Sequence, residues 1–89
     1  MPKFYCVHFS EKVRIPKMTE EQKAGLKQAI GEASAKMPAV KFNSVMWDPN
    51  TGIGFADIDG PDAKTVQDFL KAINAPPNDM LLPVEPLVL

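Results

Sequence analysis

A single α+β domain of order βαββαβ is predicted by three observations: β-favouring runs at the start, middle and end of an 89-residue chain, two amphipathic segments between them, and strong turn chemistry dividing the middle run. The first strand is Lys3 to Phe9, dense in aromatic and β-favouring residues and bounded by Pro2 and by Ser10-Glu11-Lys12. Thr19-Glu20-Glu21-Gln22 has capping-box form, the Thr hydroxyl being placed for the first free N–H groups of a helix. Leu26, Ile30, Ala33 and Met37 then recur on one face of that helix, and Pro38 ends it. A second strand runs from Val40 to Trp47, a turn follows at Asp48-Pro49-Asn50-Thr51-Gly52, and a third strand covers Ile53 to Ile58. Asp59-Gly60-Pro61-Asp62 opens a second helix with the apolar stripe Ala63, Val66, Phe69, Leu70 and Ile73, which Asn74-Ala75-Pro76-Pro77 stops. Met80 to Leu87 supplies the last strand, interrupted by Pro83 and Pro86.

This order is ferredoxin-like. Two right-handed crossovers put both helices on one face of a four-stranded antiparallel sheet of order 4-1-3-2, with the last strand at an edge where its prolines are tolerated. The other face ought to be polar, yet the first strand sets Tyr5, Val7 and Phe9 against Phe4, Cys6 and His8, and the third sets Ile53 and Phe55 against Gly54, Ala56 and Ile58. Whichever register holds, an apolar surface remains. Closed two-fold pairs are the commonest oligomers, so a homodimer packed sheet to sheet is expected.

Composition narrows the chemistry. Ten Lys+Arg against eleven Asp+Glu argue against a nucleic-acid partner, which needs a clustered basic surface. The charge is uneven, about +3 over residues 1–36 and −4 over 37–89. No apolar run approaches the roughly 18 residues of a membrane span, and no secretory pattern opens the chain, so a cytoplasmic protein without a membrane partner is expected. The single Cys allows no internal disulfide. Phosphate-loop, dinucleotide, HExxH, CxxC and GxSxG patterns are missing, so no nucleotide cofactor is expected. Asp48-Pro49-Asn50-Thr51-Gly52 starts like a calcium loop but has Gly52 where that loop needs an oxygen ligand.

Cys6 and His8, two apart on a strand, project from one face about 7 Å apart. Imidazole and thiolate suit a transition metal, and with no other His or Cys in the chain the remaining donors must be carboxylates, water or a second subunit. The antiparallel arrangement brings Asp79, with Glu11, Asp48 and Asn50, toward the His8 end and Glu85 nearer Cys6, while Asp57 and Asp59 belong on the order of 15 Å away. The expected metal donors are therefore His8, Cys6, Asp79 and Glu85. Equally, Cys6 reads as a small buried apolar group and His8 as the maker of one hydrogen bond at a strand end. Gly54 and Ala56 leave a hollow on a central strand, either the floor of a ligand pocket or a place of close approach, and Trp47 beside the hairpin is a third ligand-binding candidate or an interface residue.

Met1-Pro2-Lys3-Phe4-Tyr5-Cys6-Val7-His8-Phe9, the central hairpin, Gly60-Pro61-Asp62-Ala63 and Ile73-Asn74-Ala75-Pro76 together resemble a family of small, mostly uncharacterised ferredoxin-like proteins, some of which bind nickel. The resemblance implies the fold, dimerisation and a transition metal, nickel first. It assigns no ligand, because members often carry a charged pair where this chain has Val7 and His8. In topology alone the chain also resembles dimeric α+β-barrel proteins, which include small monooxygenases and lactone isomerases. Three expectations follow: a cytoplasmic homodimer binding a transition metal near the end of the first strand, a small dimeric-barrel enzyme acting on an apolar or aromatic molecule with no catalytic residue identified, or an interaction module without a ligand.

Overall fold

The six elements form for local reasons that a computed structural model, describing residues 1–89, makes explicit. Strand β1 (Lys3–His8) alternates half-buried and buried side chains along its whole length. Helix α1 (Glu20–Lys36) starts at a complete capping box: the Thr19 hydroxyl accepts from the Gln22 N–H at 3.2 Å, and the Gln22 side chain accepts from the Thr19 N–H at 2.9 Å. Strands β2 (Lys41–Trp47) and β3 (Gly54–Asp59) pair antiparallel, with a bulge at Asn43 that lets Phe42 and Val45 both face the helices. Helix α2 (Ala63–Ala72) is capped by Asp62, whose carboxylate accepts from the Thr65 N–H at 2.7 Å. Strand β4 (Met80–Val84) is shorter than the sequence predicts, because it ends before Glu85-Pro86 and leaves Leu87 to Leu89 exposed.

The hairpin turn closes as its residues demand. Gly52 takes φ +76°, and its N–H donates to the Asp48 carbonyl at 2.7 Å. A Cβ at Gly52 would also stand 2.7 Å from the Ile15 carbonyl oxygen. The loop between β1 and α1 is therefore docked on the hairpin, with the Ile15 N–H donating to the Gly52 carbonyl at 2.8 Å.

The sheet order is β2-β3-β1-β4, the expected 4-1-3-2 arrangement, and every pairing is antiparallel. Register follows the two-residue strand period: Cys6 faces Ala56 on one side and Leu81 on the other, and His8 faces Gly54. Phe4, Cys6, Ala56 and Ile58 form the sheet half of the core, and Val66, Phe69, Leu70 and Ile73 of α2 the other half. Phe69 is fully buried and stacks on Phe42 at 6.1 Å between ring centroids. Ala63, placed on the stripe by sequence, is instead exposed in the first turn, before the helix axis has brought its face onto the sheet. Helix α1 contributes only Ala33 fully, with Leu26, Ala29, Ile30 and Met37 half-buried against the core. No helix is long and apolar enough to cross a membrane.

Truncating the best-packed side chain removes both its transfer energy and its stacking partner. Phe69→Ala should destabilise the fold by about 3–5 kcal/mol in urea titrations. A loss under 1 kcal/mol would show that α2 is not the anchor of the core.

Candidate functional site

The parity of β1 decides where its reactive pair goes. Phe4, Cys6 and His8 point toward the helices, whereas Lys3, Tyr5 and Val7 point to the face that no helix covers. Cys6 is 1% and His8 4% exposed, so the pair lies inside the core rather than on the open sheet.

His8 is held on both ring nitrogens. Its Nδ1 lies 3.0 Å from the Val13 carbonyl and 2.9 Å from the Pro77 carbonyl, two acceptors that assign the proton to Nδ1. In the neutral ring Nε2 then carries the lone pair, and the Cys6 thiol 3.4 Å away donates to it. The imidazole thereby joins the strand end to the loop after β1 and to the loop before β4. Burial pushes the Cys6 thiol up to about 11, against only a lesser opposing pull from the Asn78 side chain. An activated cysteine needs the opposite shift and an open approach, so the geometry of a nucleophile and base is present without its chemistry.

The other expected metal donors are committed elsewhere. Asp79 does sit at the His8 end, where its carboxylate accepts from the backbone N–H groups of Phe9 at 2.5 Å and Ser10 at 2.7 Å while its own N–H donates to the Val7 carbonyl. Desolvation works against ionisation of Asp79, but the bonds from Ser10 and Phe9 outweigh it and hold the carboxyl below its usual range. Glu85 follows Val84, the partner of Lys3, and so stands exposed beyond the far end of β1 from His8, well past the Cys6–Leu81 pair. No group of three or more His, Cys, Asp or Glu side chains gathers in a metal-holding arrangement. Asp48 binds its own turn, accepting from the Asn50 N–H and the Thr51 hydroxyl.

The hollow predicted at Gly54 and Ala56 lies under the helices, not on the open face. Ala56 borders an apolar cavity of about 50 Å³ whose walls include Cys6, His8, Leu26, Leu70 and Ile73. This is room for a water or two, far from the roughly 300–1,000 Å³ of a small-molecule site. Gly54 is a place of close approach: a Cβ there would stand 2.5 Å from the Met46 carbonyl oxygen and 2.6 Å from the Trp47 Cβ. Trp47 itself, opposite Gly54 near the end of the edge strand β2, borders an outward groove between that strand and the start of α1.

Two features escaped the sequence reading. Val13 and Pro77 bind His8 through backbone carbonyls, which no residue-type pattern reveals. On the open face, Lys3 bonds Asp57 at 2.6 Å and lies 3.2 Å from Asp59, while the Asn43 amide donates to both carboxylates. The bond from Asn43 first, then the Lys3 pairing, holds Asp59 low despite some desolvation, and the two carboxylates raise Lys3. The signal for this cluster was available in the parity of Lys3, Asp57 and Asp59, once the register placed them side by side.

Fold and site together define a small ferredoxin-like α+β protein whose one Cys–His pair is a core contact. No family model matches the chain, and no curated protein matches it. Among solved structures, the crystal structure of SCO4226 from Streptomyces coelicolor A3(2) is similar, with TM-score 0.74 and 22% identity over 97% of this chain and 99% of that one. At that identity the likeness concerns the fold.

A buried thiol shifted to about 11 has roughly a hundredfold less thiolate at neutral pH than a thiol at the ordinary value near 9.0, before access is counted. Alkylation of native Cys6 by iodoacetamide should therefore be at least about a hundredfold slower than in the unfolded chain, with the rate rising toward high pH. Equal rates in the two states would remove the thiol from the core.

Proposed function

We propose that the protein works as a sheet-to-sheet homodimer, an interaction module whose working surface is the open face of the sheet. One observation carries this reading: Tyr5 and Phe55 stack at 5.4 Å on the uncovered face, with Val7, Met46, Met80 and Leu82 around them, Met46 being 54%, Met80 44% and Leu82 40% exposed. Adjacent apolar side chains from all four strands favour a partner of the same shape and polarity, and a second copy is always at hand. The Lys3, Asp57, Asp59 and Asn43 cluster lies at one end of the same face, half-exposed, where it forms a polar rim beside the apolar centre.

The same geometry weighs on the other two expectations. A mate seated on the open face meets Tyr5 and Val7, whereas Cys6 and His8 lie behind the sheet, so such a mate adds no donor to them. A transition metal at His8 would have to displace the thiol proton inside an apolar wall with two side-chain donors from this chain. A dimeric-barrel enzyme that held its substrate under the helices beside Ala56 would need the 50 Å³ cavity there to grow severalfold. The interaction-module reading requires neither.

In light scattering the wild-type chain should run as two copies. Tyr5→Glu or Leu82→Glu should give folded monomers, the dimer constant weakening by about a hundredfold or more, since each variant buries an unpaired charge at the centre of the contact. A monomeric wild type, or variants that stay dimeric, overturns the reading. Separately, nickel titration of protein purified without a histidine tag should show equal, weak uptake by wild type and His8→Ala. Tight stoichiometric uptake lost in His8→Ala would restore the metal reading instead.

A further inference from the structure

The groove at Trp47 has a character that the dimer face lacks. Lys17, Met18, Lys23, Met46, Trp47 and Pro49 line an open depression of about 630 Å³, and Lys27 stands on its continuation along α1 with Leu26 and Ile30. Its volume falls within the range of small-molecule sites. Every charged group in this lining is cationic. Glu20 is the one nearby counter-charge in contact, pairing with Lys23 at 3.2 Å, whereas Lys17 has no ion pair. The apolar part of the wall comes from two methionines and an indole, residues that reshape around a guest at low cost.

The indole adds apolar surface: Trp47 Nε1 is buried and without a hydrogen-bond partner, so it presents no N–H to the groove. An occupant that brings negative charge gives Lys17 an ion partner.

We infer that the Trp47 groove binds a small organic carboxylate with an apolar body, the carboxylate between Lys17 and Lys23 and the apolar part against Trp47, Met18 and Met46. A neutral molecule of the same shape leaves Lys17 without a partner, and an inorganic anion leaves the apolar wall wet, so both parts of the ligand are needed. The site lies at the β2 edge and draws its whole lining from one chain, sharing Met46 with the sheet face proposed for the dimer.

Trp47 is the only tryptophan, so its emission reports the groove directly. Octanoate should shift that emission saturably, and 1-octanol should bind about tenfold more weakly, the difference expected for a charge-assisted contact. Lys17→Ala should weaken octanoate binding about fivefold or more, rising salt should weaken it further, and Glu20→Gln, which releases Lys23, should tighten it. Running the series on Leu82→Glu as well separates this site from the dimer, since binding should survive the loss of the second copy. Absence of saturable binding, octanol matching octanoate, or indifference to Lys17→Ala and salt each overturns the assignment.

Discussion

Strand β1 is hydrogen-bonded along both edges, to β3 and to β4, so its alternation assigns the residues of both neighbours to a face. A strand has a period of two, and a slip of one residue would exchange the faces completely. The choice is energetically one-sided: with Phe4, Cys6 and His8 inward, Ile58, Ala56 and Leu81 meet α2 and the core closes on Val66 and Phe69. The opposite parity would drive Lys3, Asp57 and Asp59 under the helices, where three charges would lose water at a cost of several kcal/mol each. The core, the buried pair, the polar cluster and the uncovered apolar surface all follow from that single choice.

Within the core, His8 is the polar element that needed an answer, and the backbone supplies it. Two carbonyls from loops far apart in sequence take its Nδ1 proton, and the neighbouring thiol fills the other nitrogen. A buried imidazole satisfied on both nitrogens specifies how the loops after β1 and before β4 close over the strand end. Asp79 acts at the same place from the other side, accepting the N–H groups that β1 leaves unpaired as it ends at His8. The residues that looked most chemical in the chain are thus the ones that hold a junction of loops together.

Reactivity toward other molecules moves to the surface. One surface is the apolar open face of the sheet, and the other is a cationic groove beside an indole at the β2 edge. They meet at Met46 and Trp47, which border both. Helix α1 lies loosely over its part of the sheet, with Ala33 its only fully buried residue, and this leaves the groove beside it open.

Local chemistry was legible in the chain itself. The capping box at Thr19, the turn from Asp48 to Gly52 and the two-residue strand period depend on neighbours a few positions away, and so element order, sheet order and the presence of an uncovered apolar face could be read without coordinates. Which face carried Cys6 and His8 could not, because both alternations of β1 are apolar enough to be a core. Nor could Asp79 and Glu85 be separated in role, since one caps backbone groups in a loop and the other stands past the last pairing of β4. Those outcomes belong to the tertiary structure, where burying three charges or one thiol is a comparison between whole arrangements of the chain, and where backbone carbonyls, identical in every residue, become specific only by position.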